Sequence, residues 1–140
     1  MKKIAILFLS LLFLVSCGNK PQDKAEKGVK DFLKKNVQLY EPISFGKLDT
    51  LVLDNDAAYI VAKDSLSFYM NALKETGDQF KLASNQQNAK RMKDEVDAVK
   101  TFYEGKKYRI NHVYNANTSQ GKKDEVNKDF YMDSMYNVVE

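Results

Sequence analysis

The chain of 140 residues holds one cysteine, one histidine, two prolines and no tryptophan. A lone cysteine cannot form a disulfide within the chain, so the domain must be held by its core alone. One histidine with no second imidazole or thiol makes a poor metal site, so no metal is expected. Neither a glycine-rich phosphate loop nor a Gly-x-Ser-x-Gly nucleophile turn is present, and no cofactor is expected either. The longest apolar run, Ile4 to Val15, is interrupted only by Ser10 and is short for a bilayer span. An excess of one charge sign is missing too, with 22 Lys and Arg against 19 Asp and Glu. Near-balance excludes the basic footprint of a nucleic-acid binder and the strong field that would draw an acidic substrate. There is no internal repeat and no low-complexity segment.

What is present begins at the N-terminus. Lys2 and Lys3 form a basic n-region ahead of the apolar run, as in a secretory signal. The run ends in Leu14-Val15-Ser16-Cys17, which resembles the lipobox of bacterial lipoproteins, with the only cysteine at the position a lipobox requires. The resemblance implies a diacylglyceryl thioether on Cys17, cleavage before it and acylation of the new N-terminus, palmitate among the chains. Gly18 rather than Asp after the cysteine favours, by the same resemblance, the outer membrane. Cleavage removes 16 residues and two lysines, leaving 124 residues with 20 basic and 19 acidic side chains, a net of +1. That length suits one domain with a real core. The expected organisation is a signal peptide over 1–16, a lipidated cysteine and short tether over 17–23, and a single domain over 24–140. The tether from Gly18 to Gln22 reaches roughly 15–20 Å when extended, which keeps the domain close to the membrane.

In the mature chain, Asp23 and Glu26 have capping-box spacing. Ala25, Val29, Phe32 and Leu33 then form an amphipathic stripe, predicting a helix from Asp23 to Asn36. Lys27, Lys30 and Lys34 lie on its outer faces as a solvated surface, or as one that touches anionic lipid. Ile43 to Leu53 reads as a strand with a bulge at Gly46. Asp54 and Asp56 do not make a calcium loop, because Ala58 and Tyr59 stand where an oxygen ligand and a glycine are needed; Asp56 is expected to cap the next helix. That helix carries Tyr59, Ala62, Leu66, Tyr69, Met70 and Leu73 at helical spacing and ends at Gly77. A third is predicted over Ser84 to Tyr103, with Ala89, Met92, Val96, Val99 and Phe102 inward and an ion-pair face outward.

After Gly105 the period falls to two. Tyr108, Ile110, His112, Tyr114 and Ala116 alternate with Arg109, Asn111 and Asn115; Val113 breaks the pattern. A polar turn over Asn117 to Lys123 leads to a strand through Val126, Phe130 and Met132. A last strand over Asn137 to Val139 follows a turn at Ser134-Met135. The whole predicts an α+β domain: helices packed on one face of an antiparallel sheet of about four strands, the last three a C-terminal meander.

Lys30 to Asn36, Tyr40 to Asp49, Tyr108 to Ala116 and Phe130 to Asp133 together resemble small bacteroidete-type lipoproteins of uncharacterised function. His112, Tyr114, Ala116 and Gly121 fit that group's His-x-Tyr-Arg-Ala-Lys-Asn pattern and the glycine that follows it. Asn115, Asn117 and Thr118 replace its Arg, Lys and Asn, which removes two cations from the strand. The resemblance implies a lipid anchor and an α+β domain, and it supplies no activity.

The enzyme reading lacks a constellation of acid, base and nucleophile, so a non-catalytic binding or interaction module is expected. Its partners would be the lipid membrane through acylated Cys17 and an envelope protein, peptide or glycan. The alternatives are an accessory subunit of an envelope complex and a small envelope hydrolase. Tyr108, His112 and Tyr114 share a strand face. Covered, that face makes His112 a neutral, hydrogen-bonded core residue; open, the three make a contact surface. Asp49-Thr50-Leu51, Asp64-Ser65-Leu66 and Asp133-Ser134-Met135 resemble a bacteroidete O-glycosylation sequence, with Thr50 and Ser134 the better-placed acceptors.

Overall fold

The computed structural model describes residues 20–117 and 122–139. The signal peptide, Cys17, Gly18, Asn19 and the turn around Gly121 lie outside the described residues; Pro21 to Asp23, expected in the tether or at its end, already belong to the first helix. The domain is α+β as expected: three helices and a five-stranded antiparallel sheet. In chain order the elements are α1 (Pro21–Asn36), β1 (Glu41–Phe45), β2 (Asp49–Thr50), α2 (Ala57–Glu75), α3 (Gln79–Tyr103), β3 (Tyr108–Asn117), β4 (Lys123–Met132) and β5 (Val138–Val139). The strand order is β1-β3-β4-β5, and β2 also pairs with β3.

Helix α1 starts two residues earlier than the capping-box spacing suggested. Pro21 takes the first turn, where its missing N–H costs nothing, and Lys20 caps without a side-chain bond. Glu26 accepts from Gln22 at 2.9 Å rather than reaching back to Asp23. Gln22 also ties α1 to the β1–β2 connection, donating to the Gly46 carbonyl at 3.0 Å and accepting from the Leu48 N–H at 2.8 Å. The predicted stripe is the buried one: Ala25, Val29 and Leu33 meet Ile110, Tyr114, Ala116, Phe130 and Met132 of β3 and β4.

The strand predicted over Ile43 to Leu53 is two strands. The register against β3 shifts between Pro42 and Ser44, so the irregularity falls at Ile43. Gly46 instead begins the break between β1 and β2, where its N–H donates to the Asn111 carbonyl at 2.9 Å. Leu53 to Asn55 form a single 3-10 turn. Asp56 caps α2 as expected, accepting from the Tyr59 N–H at 2.9 Å.

Helix α3 begins at Gln79 rather than Ser84, because Asp78 accepts from the N–H groups of Phe80 and Lys81. Helices α2 and α3 form a hairpin with its own cluster of Tyr59, Ala62 and Val96, backed by Leu53, Leu66 and Val99. Met70 and Phe102, both expected inside, are exposed. The Phe102 ring meets Tyr131 of β4 edge-on at 5.2 Å. So α1 alone supplies the helical side of the sheet's main core, while the hairpin packs largely on itself.

The turn before β5 is held by Asp133, whose carboxylate accepts from the Met135 N–H, the Asn137 N–H and the Asn137 amide. It places Tyr136 at φ 65° and stacks it on Tyr108 at 4.8 Å. Helix α1 crosses this turn at Gly28, and a Cβ there would run into the Tyr136 carbonyl oxygen. In an open helix, Gly→Ala stabilises by up to about 1 kcal/mol. Gly28→Ala is expected to do the reverse and cost about 1–3 kcal/mol by overpacking. A denaturation midpoint equal to or above wild type would contradict this close approach.

Candidate functional site

The two faces of the β3–β4 ribbon differ in kind. Even-numbered residues of β3 point beneath α1, and Ile110, His112, Tyr114 and Ala116 are all buried. His112, fully buried, stacks on Phe45 at 3.7 Å. Lys30 of α1 lies over the Phe45 ring at 5.0 Å. The His112 Nδ1 sits 2.7 Å from the Ser44 carbonyl oxygen, and Nε2 sits 2.8 Å from the Tyr40 hydroxyl. A carbonyl only accepts, so Nδ1 carries the proton and donates to it, and Nε2 accepts from Tyr40. The ring is neutral. Burial lowers its pKa and Lys30 adds to this; the Ser44 bond and Glu26 oppose it. Burial likewise raises the phenols of Tyr40 and Tyr114. The surface reading of Tyr108, His112 and Tyr114 is therefore corrected. His112 and Tyr114 are sealed by α1 and by the segment from Tyr40 to Phe45, and Tyr108 is half-buried under Tyr136.

The odd-numbered face is mainly polar, with Val113 and Tyr131 as its apolar and aromatic members. Asn111 donates to Asn127 at 2.8 Å and to Asp129 at 2.9 Å. Arg109 is paired with Asp49 of β2 at 2.9 Å. At the far end Lys123 is paired with Glu41 of β1. Asn115, Asn117, Glu125 and Tyr131 share this face by strand register.

Where this face meets the base of the helical hairpin, a cleft of about 440 Å³ opens. Asp49, Thr50, Asp56, Tyr103 and Arg109 line it. Tyr103 donates to Asp56 at 2.9 Å. The Tyr59 N–H and then the Tyr103 hydroxyl hold the Asp56 carboxyl below the usual range. Burial, then the bond to Asp56, pushes the Tyr103 phenol up. Asp49 raises the Arg109 guanidinium further. The cleft thus presents a carboxylate, a phenol and a guanidinium held by hydrogen bonds to one another and to the backbone. No group of three or more His, Cys, Asp or Glu is placed to hold a metal among the described residues.

Sequence reading named Asp56 as a cap and Thr50 as an acceptor, but not Tyr103 or Arg109. Partners 47 and 60 positions apart leave no local signal. Thr50 and Ser134 are both exposed. No helix among the described residues is long and apolar enough to cross a membrane. Comparison with known proteins finds no match: neither a family model, nor a curated protein, nor a solved structure.

His112 is the only histidine, which isolates one pH effect. Its folded pKa lies below the unfolded value near 6.5. Between those values the unfolded chain binds the extra proton. The contribution is therefore complete above about pH 6.5 and declines as pH falls through the window beneath it. His112→Ala is expected to cost about 1–3 kcal/mol at neutral pH, by orphaning the Ser44 and Tyr40 groups. It should also flatten the pH dependence of the midpoint below about pH 6.5. Wild-type stability with an unchanged pH slope would contradict the assignment.

Proposed function

We propose that this protein is an envelope lipoprotein, anchored through acylated Cys17 and carrying a non-catalytic binding domain. The anchoring half rests on the sequence: a basic n-region, a short apolar run and the sole cysteine in lipobox position. The outer membrane is the expected site, from Gly18. The binding half is carried by one observation, the polar face of the β3–β4 ribbon opposite α1. Its asparagines, Asp129 and Arg109 are presented with the adjoining cleft. Amides and paired charges at fixed spacing suit a ligand dense in hydroxyls or peptide groups. That means a glycan, a peptide or the surface of an envelope protein. Thr50 and Ser134 are the proposed O-glycosylation acceptors; both residues are exposed.

Two measurements test this. The intact mass of the full chain from native membranes is expected to show diacylglyceryl and acyl groups on a chain beginning at Cys17. Sugar mass should be present and should fall in Thr50→Ala or Ser134→Ala. Cys17→Ser should leave an unprocessed precursor. A mature chain starting elsewhere with an unmodified thiol would refute the anchor, and a mass equal to the lipidated polypeptide alone would refute the glycosylation.

The second measurement is photo-crosslinking in native membranes. An adduct formed by the wild-type chain should be lost in Asn111→Ala, while that variant's melting curve stays within about 1 kcal/mol of wild type. Equal capture by both chains would move the binding function off this face.

A further inference from the structure

The two edges of the sheet are built differently. The β1 edge carries Pro42, which has no N–H to offer, and a register shift between Pro42 and Ser44. Both features blunt an edge against pairing. The β4 edge has neither. β5 pairs only with Tyr131 and Met132, so Lys123 to Phe130 has no strand on its outer side among the described residues. The Met132 carbonyl faces β3, where it accepts from the Lys107 N–H at 2.7 Å, and the Asp133 N–H faces the other way, donating to Asn137 at 3.0 Å. Backbone groups alternate sides along a strand, so Glu125, Asn127 and Asp129 turn their N–H and C=O outward. Another extended backbone is what matches such a row.

We propose that the occupant is a second copy of this chain, its β4 running antiparallel to the first about a two-fold axis at Val126. Length and charge select this register. Centred on Val126, the pairing uses the free edge from Lys123 to Asp129 in full and sets outward-facing residues against each other, as the hydrogen bonds require. Lys123 then stands opposite Asp129 of the second copy, and Asp124 opposite Lys128. The two-fold repeats each opposite-charge pair. A slide to a centre at Asn127 would face Glu125 with Asp129, and a slide to Glu125 would face that residue with itself. Like charges directly opposite are destabilising. Asp124 has no ion-pair partner among the described residues. Lys123 and Asp129 keep Glu41 and Asn111 within each copy and have donors and lone pairs to spare. The axis is normal to the sheet, so both α1 helices lie on one side of the joined sheet. On the anchoring reading, both tethers then leave toward one membrane.

The test uses the full chain, in its membrane for crosslinking and in detergent for self-association. Facing Val126 residues would form a non-hydrogen-bonded pair with Cα atoms about 4.5 Å apart, within disulfide range. Mild oxidation of Val126→Cys is expected to give a covalent dimer, while Asn127→Cys, offset by two residues, gives none. Lys128→Glu should weaken self-association by about tenfold at low salt in detergent. Adding Asp124→Lys should restore it, which a merely structural role for either residue would not do. Three results would each overturn the proposal: no Val126→Cys dimer with Lys128→Glu without effect on self-association, crosslinking at Asn127→Cys instead, or a Val126→Cys adduct with a different protein. The wild-type chain reports separately on the anchor, because a disulfide dimer there requires an unacylated Cys17 thiol.

Discussion

His112 fixes the relation of three segments that share little else. Its ring lies fully buried on β3, donates to the Ser44 carbonyl of β1 and accepts from Tyr40 in the connection leaving α1. A polar group in such a place is tolerated only with both nitrogens matched. Each bond also fixes what it touches. Ser44 is where the β1 register resumes after its shift, so its carbonyl is held by a side chain at the point where the ladder is irregular. Tyr40 in turn packs edge-on against Tyr114 at 5.6 Å, carrying the arrangement into the main core. Phe45 stacks on the imidazole and also lies within 5.0 Å of the Lys30 ammonium, which links β1 to α1.

The sequence patterns that survived folding are those in which local period and burial agree. The α1 stripe, the β3 alternation and the Asp56 cap involve residues within a turn or two of one another, and each appears in the structure as read. Boundaries fared worse where a competing local interaction was available. Asp23 and Glu26 have capping-box spacing, but Pro21 already satisfies the helix start and Gln22 engages Glu26. The apolar spacing starts the third helix at Ser84, yet Asp78 caps it so that it begins five residues earlier, at Gln79. Met70 and Phe102 fit the apolar stripes of their helices. They are exposed because a two-helix hairpin has only one partner surface to offer, narrower than the stripes its helices carry.

The candidate site was scarcely legible, for a different reason. Its groups come from β2, the start of α2, the end of α3 and β3, and only tertiary contact assembles them. Arg109, Asn111 and Asn115 were visible as the polar half of an alternating strand. Alternation alone cannot say which half is covered. Aromatic side chains at Tyr108 and Tyr114 fit equally well with a core and with a binding surface. The decision came from α1, whose small residues Ala25 and Gly28 let it approach the sheet and the Tyr136 turn closely enough to seal the aromatic half.

That division assigns different work to each surface of the sheet. The face under α1 spends most of its aromatic residues on the core. The opposite face is polar yet internally satisfied, with Asn111 bridging Asn127 and Asp129 and Arg109 tied to Asp49. Such a face stays folded and soluble while uncovered, and its side chains are held in place before any ligand arrives, which lowers the ordering cost of binding. Lipid anchoring, as proposed, would confine copies to a plane and raise the effective concentration of one β4 edge for another. Paired through that edge, two copies would join their polar faces into one surface on the side away from both α1 helices. A weak contact at each single face would then act in a bivalent assembly, so modest recognition by amides and paired charges would suffice for retention at the membrane.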